Sequence, residues 1–263
     1  MARRRGGDKI HNKKKELEKK DFKRQVNDKT TVPDIIIACE DSVSSPTYFR
    51  MIINELISKK VITQDSFVIA PHKHSNPMGV LQDLKNYKQD GKVYKDFEHK
   101  WIVIDRDSPI VNGGGHSKED FNNALKNAKS KKSNLNIEVA YANDSFELWY
   151  LLHFEYRNSA ILRDEILKLV IQRLKDIDIH KFAKLNKDNI KQENYTKLIF
   201  DTLNPLQITA IKNAKKLLNS YGDSHNPESD NPSISIHRLV EILNNLWLKE
   251  VTYKSSIIQI PLI

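Results

Sequence analysis

Residues 100–108 read Lys100-Trp-Ile-Val-Ile-Asp105-Arg106-Asp107-Ser108. Four apolar residues with a strong preference for extended backbone run straight into two carboxylates spaced by one residue. A short apolar run of this type predicts a buried strand, although periodicity alone leaves a helix open. Asp105 then stands at the carboxyl end of the strand, where open α/β sheets place their ligands. Asp105 and Asp107 are hard oxygen donors suited to Mg²⁺ or Mn²⁺. A solvated Asp-Arg-Asp turn is the plainer alternative, because Asp is common in turns.

Upstream of this stretch the same pattern recurs. Ile35-Ile-Ile-Ala-Cys39 predicts a second buried strand, and Glu40 follows it directly. Ser44 or Ser45 is expected to cap the next helix, with Pro46 in its first turn. That helix would bury Phe49, Ile52, Ile53, Leu56 and Ile57, which recur at helical spacing. A third strand is expected over 66–71 and a helix over 78–87. Between them His72-Lys73-His74 reads as a polar surface or phosphate contact rather than a metal site.

Downstream, Asn112-Gly-Gly-Gly115 predicts a loop with large backbone freedom, without the Lys-Ser/Thr of a phosphate-binding P-loop. A helix capped by Ser117 is expected to run to Ala128, followed by a strand over 135–142. Residues 146–154 are almost continuously apolar and predict a buried helix whose polar exceptions are Glu147 and His153. An ionised Glu in such a helix needs a partner or a metal. His153 reads either as a hydrogen-bonded core residue or as part of the site. Four strand–helix alternations predict right-handed crossovers and a mainly parallel four-stranded sheet. Glu40, Asp105, Asp107 and Glu147 would then face one rim. Carboxylates gathered in this way need protons or a cation to coexist.

Beyond Tyr156 the pattern turns helical, near 161–175, 195–202, 205–221 and 236–249, with a turn-rich loop over 222–232. Asn231-Pro232-Ser233 is expected to cap the last of these helices. Residues 256–263 are apolar and β-prone, able to pair with a sheet edge or with a second chain as a homo-oligomer. The chain therefore divides into a basic tail (1–30), an α/β core (31–156) and a mostly helical C-terminal region (157–263) packed on it.

The 263 residues are 39% hydrophobic and 29% charged, the balance of a soluble globular protein. The one cysteine, Cys39, excludes an intramolecular disulfide and a Cys-based zinc site. No apolar run reaches the ~18 residues of a membrane span, and the N-terminus lacks the apolar segment of a secretory signal. A cytoplasmic protein without a membrane partner is expected. Residues 1–30 hold 12 of the 43 Lys and Arg but only 5 of the 34 Asp and Glu, so most of the net charge of +9 lies there. Such a tail suits phosphates through counterion release, though a solubilising arm has the same composition.

Four stretches, ACEDSVSSPTYF (38–49), WIVIDRDS (101–108), YANDSFELWYLLHFE (141–155) and NPSISIHRLVEIL (231–243), resemble successive motifs of the RloB-like family. The resemblance implies a Toprim-like core and a role in bacterial anti-phage, or abortive-infection, defence. It implies a metal-dependent nuclease using Mg²⁺ or Mn²⁺, acting on RNA (tRNA included) ahead of DNA, with an ATPase partner. By the resemblance Glu40 is the general acid/base, Asp105 and Asp107 are the metal-binding pair, and Glu147 and His153 belong to the site. Basic residues must supply the phosphate contacts, and Arg106, Lys212 and Arg238 are the candidates. The family usually reads Cys-Glu-Gly followed by Thr-Glu. Here Asp41 replaces the Gly and Ser45-Pro46 the Thr-Glu, so Asp41 reads as a turn residue or a substitute ligand. A non-catalytic nucleic-acid sensor on the same core is the alternative.

Overall fold

The structure is a computed structural model and describes residues 34–107, 117–130 and 136–246. The basic tail, the triple-glycine loop and the 256–263 segment lie outside the described residues. The apolar runs do form strands. β1 (Ile35–Cys39) is buried along its whole length. β2 (Phe67–Ile69) pairs with it in parallel on one side, and His99–Asp105 does so on the other. Between β2 and that strand lies a two-residue hairpin, β3 (Lys88–Gln89) with β4 (Lys92–Val93), which forms its own small sheet. The apolar run that ends at Asp105 is therefore β5 (His99–Asp105), and it pairs in parallel with β6 (Ile137–Asn143).

A fifth strand, β7 (Ser233–Ile234), closes the sheet antiparallel to β6, giving the order β2-β1-β5-β6-β7. Here the four-strand expectation falls short. Ser233, one of the residues expected to cap the last helix, lies instead in a sheet edge. Ser235 then joins the ladder with its side chain: its Oγ accepts from the Tyr141 N–H at 2.9 Å and donates to the Val139 carbonyl at 3.1 Å. The last helix, over 236–246, starts directly after it.

Alternate strand residues face opposite sides of a sheet. One face carries Ile35, Ile37, Trp101 and Val103, all buried, and is covered by α1 (Ser44–Ser58). On the other, Ile36, Ala38, Ile102, Ile104, Val139 and Tyr141 meet the buried side of α2 (Pro77–Lys85) and α3 (Lys118–Ala128). α4 (Glu147–Leu152) returns to the α1 side of the sheet. All six residues of α4 are buried, because α5 (Arg163–Ile177) and α8 (Gln207–Tyr221) pack over it. α6 (Ile179–Phe182) packs on α5, and α7 (Glu193–Leu203) packs on α1. A helix apolar on every side is stable only when covered in this way. This five-stranded, mostly parallel sheet, flanked by helices and followed by a helical C-terminal region, is consistent with a Toprim-like fold.

Candidate active site

The register brings the acidic residues together. Cys39 pairs with Val103, and Asp105 with Ala142, so β1, β5 and β6 end at nearly the same level. The ladder runs past the strands: the Glu40 N–H donates to Val103 O at 2.9 Å, Arg106 N–H to Ala142 O at 2.8 Å, and Asp107 N–H to Asp144 O at 3.0 Å. Asp105 continues the odd-numbered set of β5, so it points to the face that α4 covers. The Glu40 carboxylate turns back across the sheet, and its Oε2 accepts the Asp105 N–H at 2.9 Å.

Glu147 opens α4 and is fully buried. Its Oε1 lies 3.1 Å from Lys191 Nζ and 3.5 Å from Ser44 Oγ. Arg163, the first residue of α5, places Nη2 3.4 Å from Asp105 Oδ2 and ion-pairs with Asp107 Oδ1. The Arg163 N–H donates to Asp144 Oδ2 at 2.9 Å, so the residue just beyond β6 caps α5 and fixes its start over the rim. Glu40, Asp105, Asp107 and Glu147 thus meet Arg163 and Lys191, cations that the sequence alone did not single out. No spacing rule links Arg163 or Lys191 to strand ends so far along the chain. The one available signal was that the carboxylates require compensating charge.

The electrostatics reflect this imbalance. Burial raises the Asp105 pKa well above the ordinary carboxylate range, with the nearby charges of Asp107, Glu40 and Glu147 adding to it and Arg163 opposing. Burial works the same way on Glu147, but Lys191 and Arg163 outweigh it and hold that carboxyl below its usual value. Burial disfavours the charge on Arg163 and Lys191, and the surrounding carboxylates more than restore it. Buried polar atoms here that lack a hydrogen-bond partner among the described residues include Ser145 Oγ, Glu147 Oε2 and Arg163 Nε.

A divalent cation suits the residues at this rim in chemistry and charge. The donors are hard carboxylate oxygens, the charges of Asp107, Glu40 and Glu147 crowd the buried Asp105, and Glu147 Oε2 has no partner among the described residues. The site is not pre-assembled, however: among the described residues no three His, Cys, Asp or Glu form a group that could hold a metal ion. Their oxygens rest instead on Arg163, Lys191 and the Asp105 N–H.

Other expected residues take different places. His153 is a core residue: its Nδ1 meets Trp149 O at 2.8 Å, its ring lies edge-on to Trp149 at 4.9 Å, and burial lowers its pKa to about 4. Arg106 is buried, and its Nη2 binds Glu228 Oε1 at 2.9 Å while its Nε donates to Glu228 O at 3.2 Å. It holds the 222–232 loop rather than facing a substrate. Lys212 lies on α8, and Arg238 is exposed on the last helix. Asp41 caps α1. Its carboxylate accepts the N–H groups of Val43 at 2.9 Å and Ser45 at 3.0 Å, together with the Ser44 N–H and the Ser45 hydroxyl. The cap is therefore neither Ser44 nor Ser45, and the position where the family has Gly serves the helix. His74 is paired with Asp83 at 2.6 Å. His72 Nδ1 lies 3.2 Å from the carbonyl of Cys39, beside Glu40.

Fold and site together define an α/β protein with an acidic rim at the carboxyl ends of its parallel strands. The chain matches the sequence model of the RloB-like protein family over residues 35–243, and it belongs to that family. Comparisons with curated proteins and with solved structures gave no significant match.

Proposed function

We propose that this protein is a divalent-metal-dependent nuclease that hydrolyses phosphodiesters of nucleic acid, RNA (tRNA included) ahead of DNA, in defence against phage. The observation that carries the reading is the meeting of Glu40, Asp105, Asp107 and Glu147 at one sheet rim. Asp105, Asp107 and Glu147 would hold Mg²⁺ or Mn²⁺ together with Glu40. The ion would polarise the phosphate, activate water and neutralise developing charge. Glu40 takes the proton from the attacking water. The Asp105 N–H on its Oε2 fixes the carboxylate for that transfer. Substrate preference, the defence role and an ATPase partner rest on the family resemblance. The basic tail, Lys212 and Arg238 are proposed contacts to the nucleic-acid backbone.

The test is incubation of the full chain with labelled RNA and DNA in Mg²⁺ or Mn²⁺. Cleavage should appear and should fall roughly 10²–10⁴-fold in Glu40→Ala, the range for loss of a general acid/base. Asp105→Ala should abolish it with the fold intact by circular dichroism. One observation favours the second reading, a non-catalytic nucleic-acid sensor: the carboxylates already have cationic partners. Tight binding without cleavage in either ion would select it.

A further inference from the structure

Arg163 and Lys191 stand at the rim whose carboxylates the reading above gives to a divalent cation. Both come from the C-terminal region rather than from a strand, and both are partly exposed, with side-chain accessibilities of 27% and 39%. Each reaches in from solvent to a carboxylate that is far more buried. Arg163 contacts Asp105 and Asp107, and Lys191 contacts Glu147. A guanidinium on Asp105 and Asp107 occupies the oxygens that a metal ion would use, and its charge repels one.

Among the described residues the carboxylates of Glu40, Asp105, Asp107, Asp144 and Glu147 outnumber the cations Arg163 and Lys191, which disfavours a phosphate group. A divalent ion on the carboxylates offsets that excess of negative charge and removes the hold on both basic side chains. Arg163 also keeps a buried Nε with no acceptor among the described residues. A guanidinium presents its donors as a planar fork that matches phosphate oxygens, so an acceptor for Nε is what this side chain lacks among the described residues.

We propose that Arg163 and Lys191 are the phosphate-binding residues of this site, resting on Asp105, Asp107 and Glu147 until a divalent cation takes those carboxylates. The inference depends on the metal-dependent reading above. It adds that each cation competes with the metal for the carboxylates and, once displaced, holds the substrate's phosphate. Arg163 contributes a bidentate contact and Lys191 a point charge.

The experiment uses the full chain as wild type, Arg163→Gln, Arg163→Lys and Lys191→Gln. Calorimetry measures first Mn²⁺ binding, then binding of adenosine 3′,5′-bisphosphate in saturating Mn²⁺; the probe carries two phosphates and has no internucleotide bond to cut. Arg163→Gln and Lys191→Gln should bind Mn²⁺ more tightly than wild type, on the order of tenfold, and bind the bisphosphate at least ~10-fold more weakly. Arg163→Lys should keep nearly the wild-type Mn²⁺ affinity and lose part of the bisphosphate affinity. If Arg163→Gln fails to fold, Arg163→Lys and Lys191→Gln carry the test. Mn²⁺ binding by wild type that is unchanged or weakened in the glutamine variants overturns the proposal and leaves the nuclease reading standing. Bisphosphate binding that is absent in wild type, or undiminished in the variants, overturns it in the same way. Mn²⁺ binding to none of the four proteins overturns both. Binding to a glutamine variant alone supports competition at the rim in its strongest form.

Discussion

At Asp41 a carboxylate stands one residue from Glu40 yet serves the helix rather than the rim. Its oxygens satisfy N–H groups at the start of α1 that have no partner within the helix. Asp41→Ala should therefore cost about 1–2 kcal/mol in denaturant unfolding, the upper part of the range for a lost N-cap. Mn²⁺ binding should survive the change. A variant that keeps full stability and loses the metal would show Asp41 to be a ligand instead. The sequence could not separate these roles, because capping and ligation both call for a carboxylate in a turn.

Histidine shows the same ambiguity. His153 lies two turns along a helix that begins with Glu147, which made it a site candidate, but an imidazole hydrogen-bonded to the Trp149 carbonyl is a satisfied core group. Its pKa falls from 6.5 to about 4 on burial, and His237 on the last helix behaves alike. Between those pH values the unfolded chain binds protons that the folded chain refuses, so stability falls as pH drops from 6.5 toward 4. Each histidine should contribute a loss approaching ~3 kcal/mol by about pH 4. Urea unfolding at several pH values should show this slope, with His153→Phe removing about half. A flat profile would mean that these rings are not buried neutral.

Among the elements, the four parallel strands were legible because each is a short β-preferring apolar run bounded by turn residues, and burial on both faces demands such runs. β7 was not, because its two residues, Ser233 and Ile234, carry no periodicity at all. What makes it a strand is its pairing with β6, reinforced by the Ser235 side chain bridging Tyr141 and Val139. Ser235→Ala should leave the Tyr141 N–H unpaired in a buried place, at a cost of about 1–3 kcal/mol. Hydrogen exchange at the Tyr141 amide should rise together with the loss of stability. Protection equal to wild type would show that another group holds this edge.

At the scale of the molecule, the change of texture at Tyr156 marks where the pattern becomes helical, but the folded unit continues past it. The fifth strand, Arg163 and Lys191 at the rim and the Glu228 partner of Arg106 all come from beyond that point. Half of the site was therefore legible, the half on strand ends, where sequence proximity to an apolar run fixes position. The cationic half was not, since Arg163 meets Asp105 across 58 residues of chain and only the packing of α5 on α4 brings it there. The same packing covers Leu148, Trp149, Tyr150 and Leu151, which are at most 1% exposed. A fragment of residues 31–156 would bare that helix to water and leave the acidic rim without Arg163 and Lys191. It should consequently aggregate or melt without a cooperative transition, whereas residues 31–246 should melt sharply. Size-exclusion chromatography and calorimetric melting of the two fragments make the comparison. A monomeric 31–156 fragment with a sharp transition would show that the strands and α4 hold together unaided, and that the helical region is an addition to a finished core.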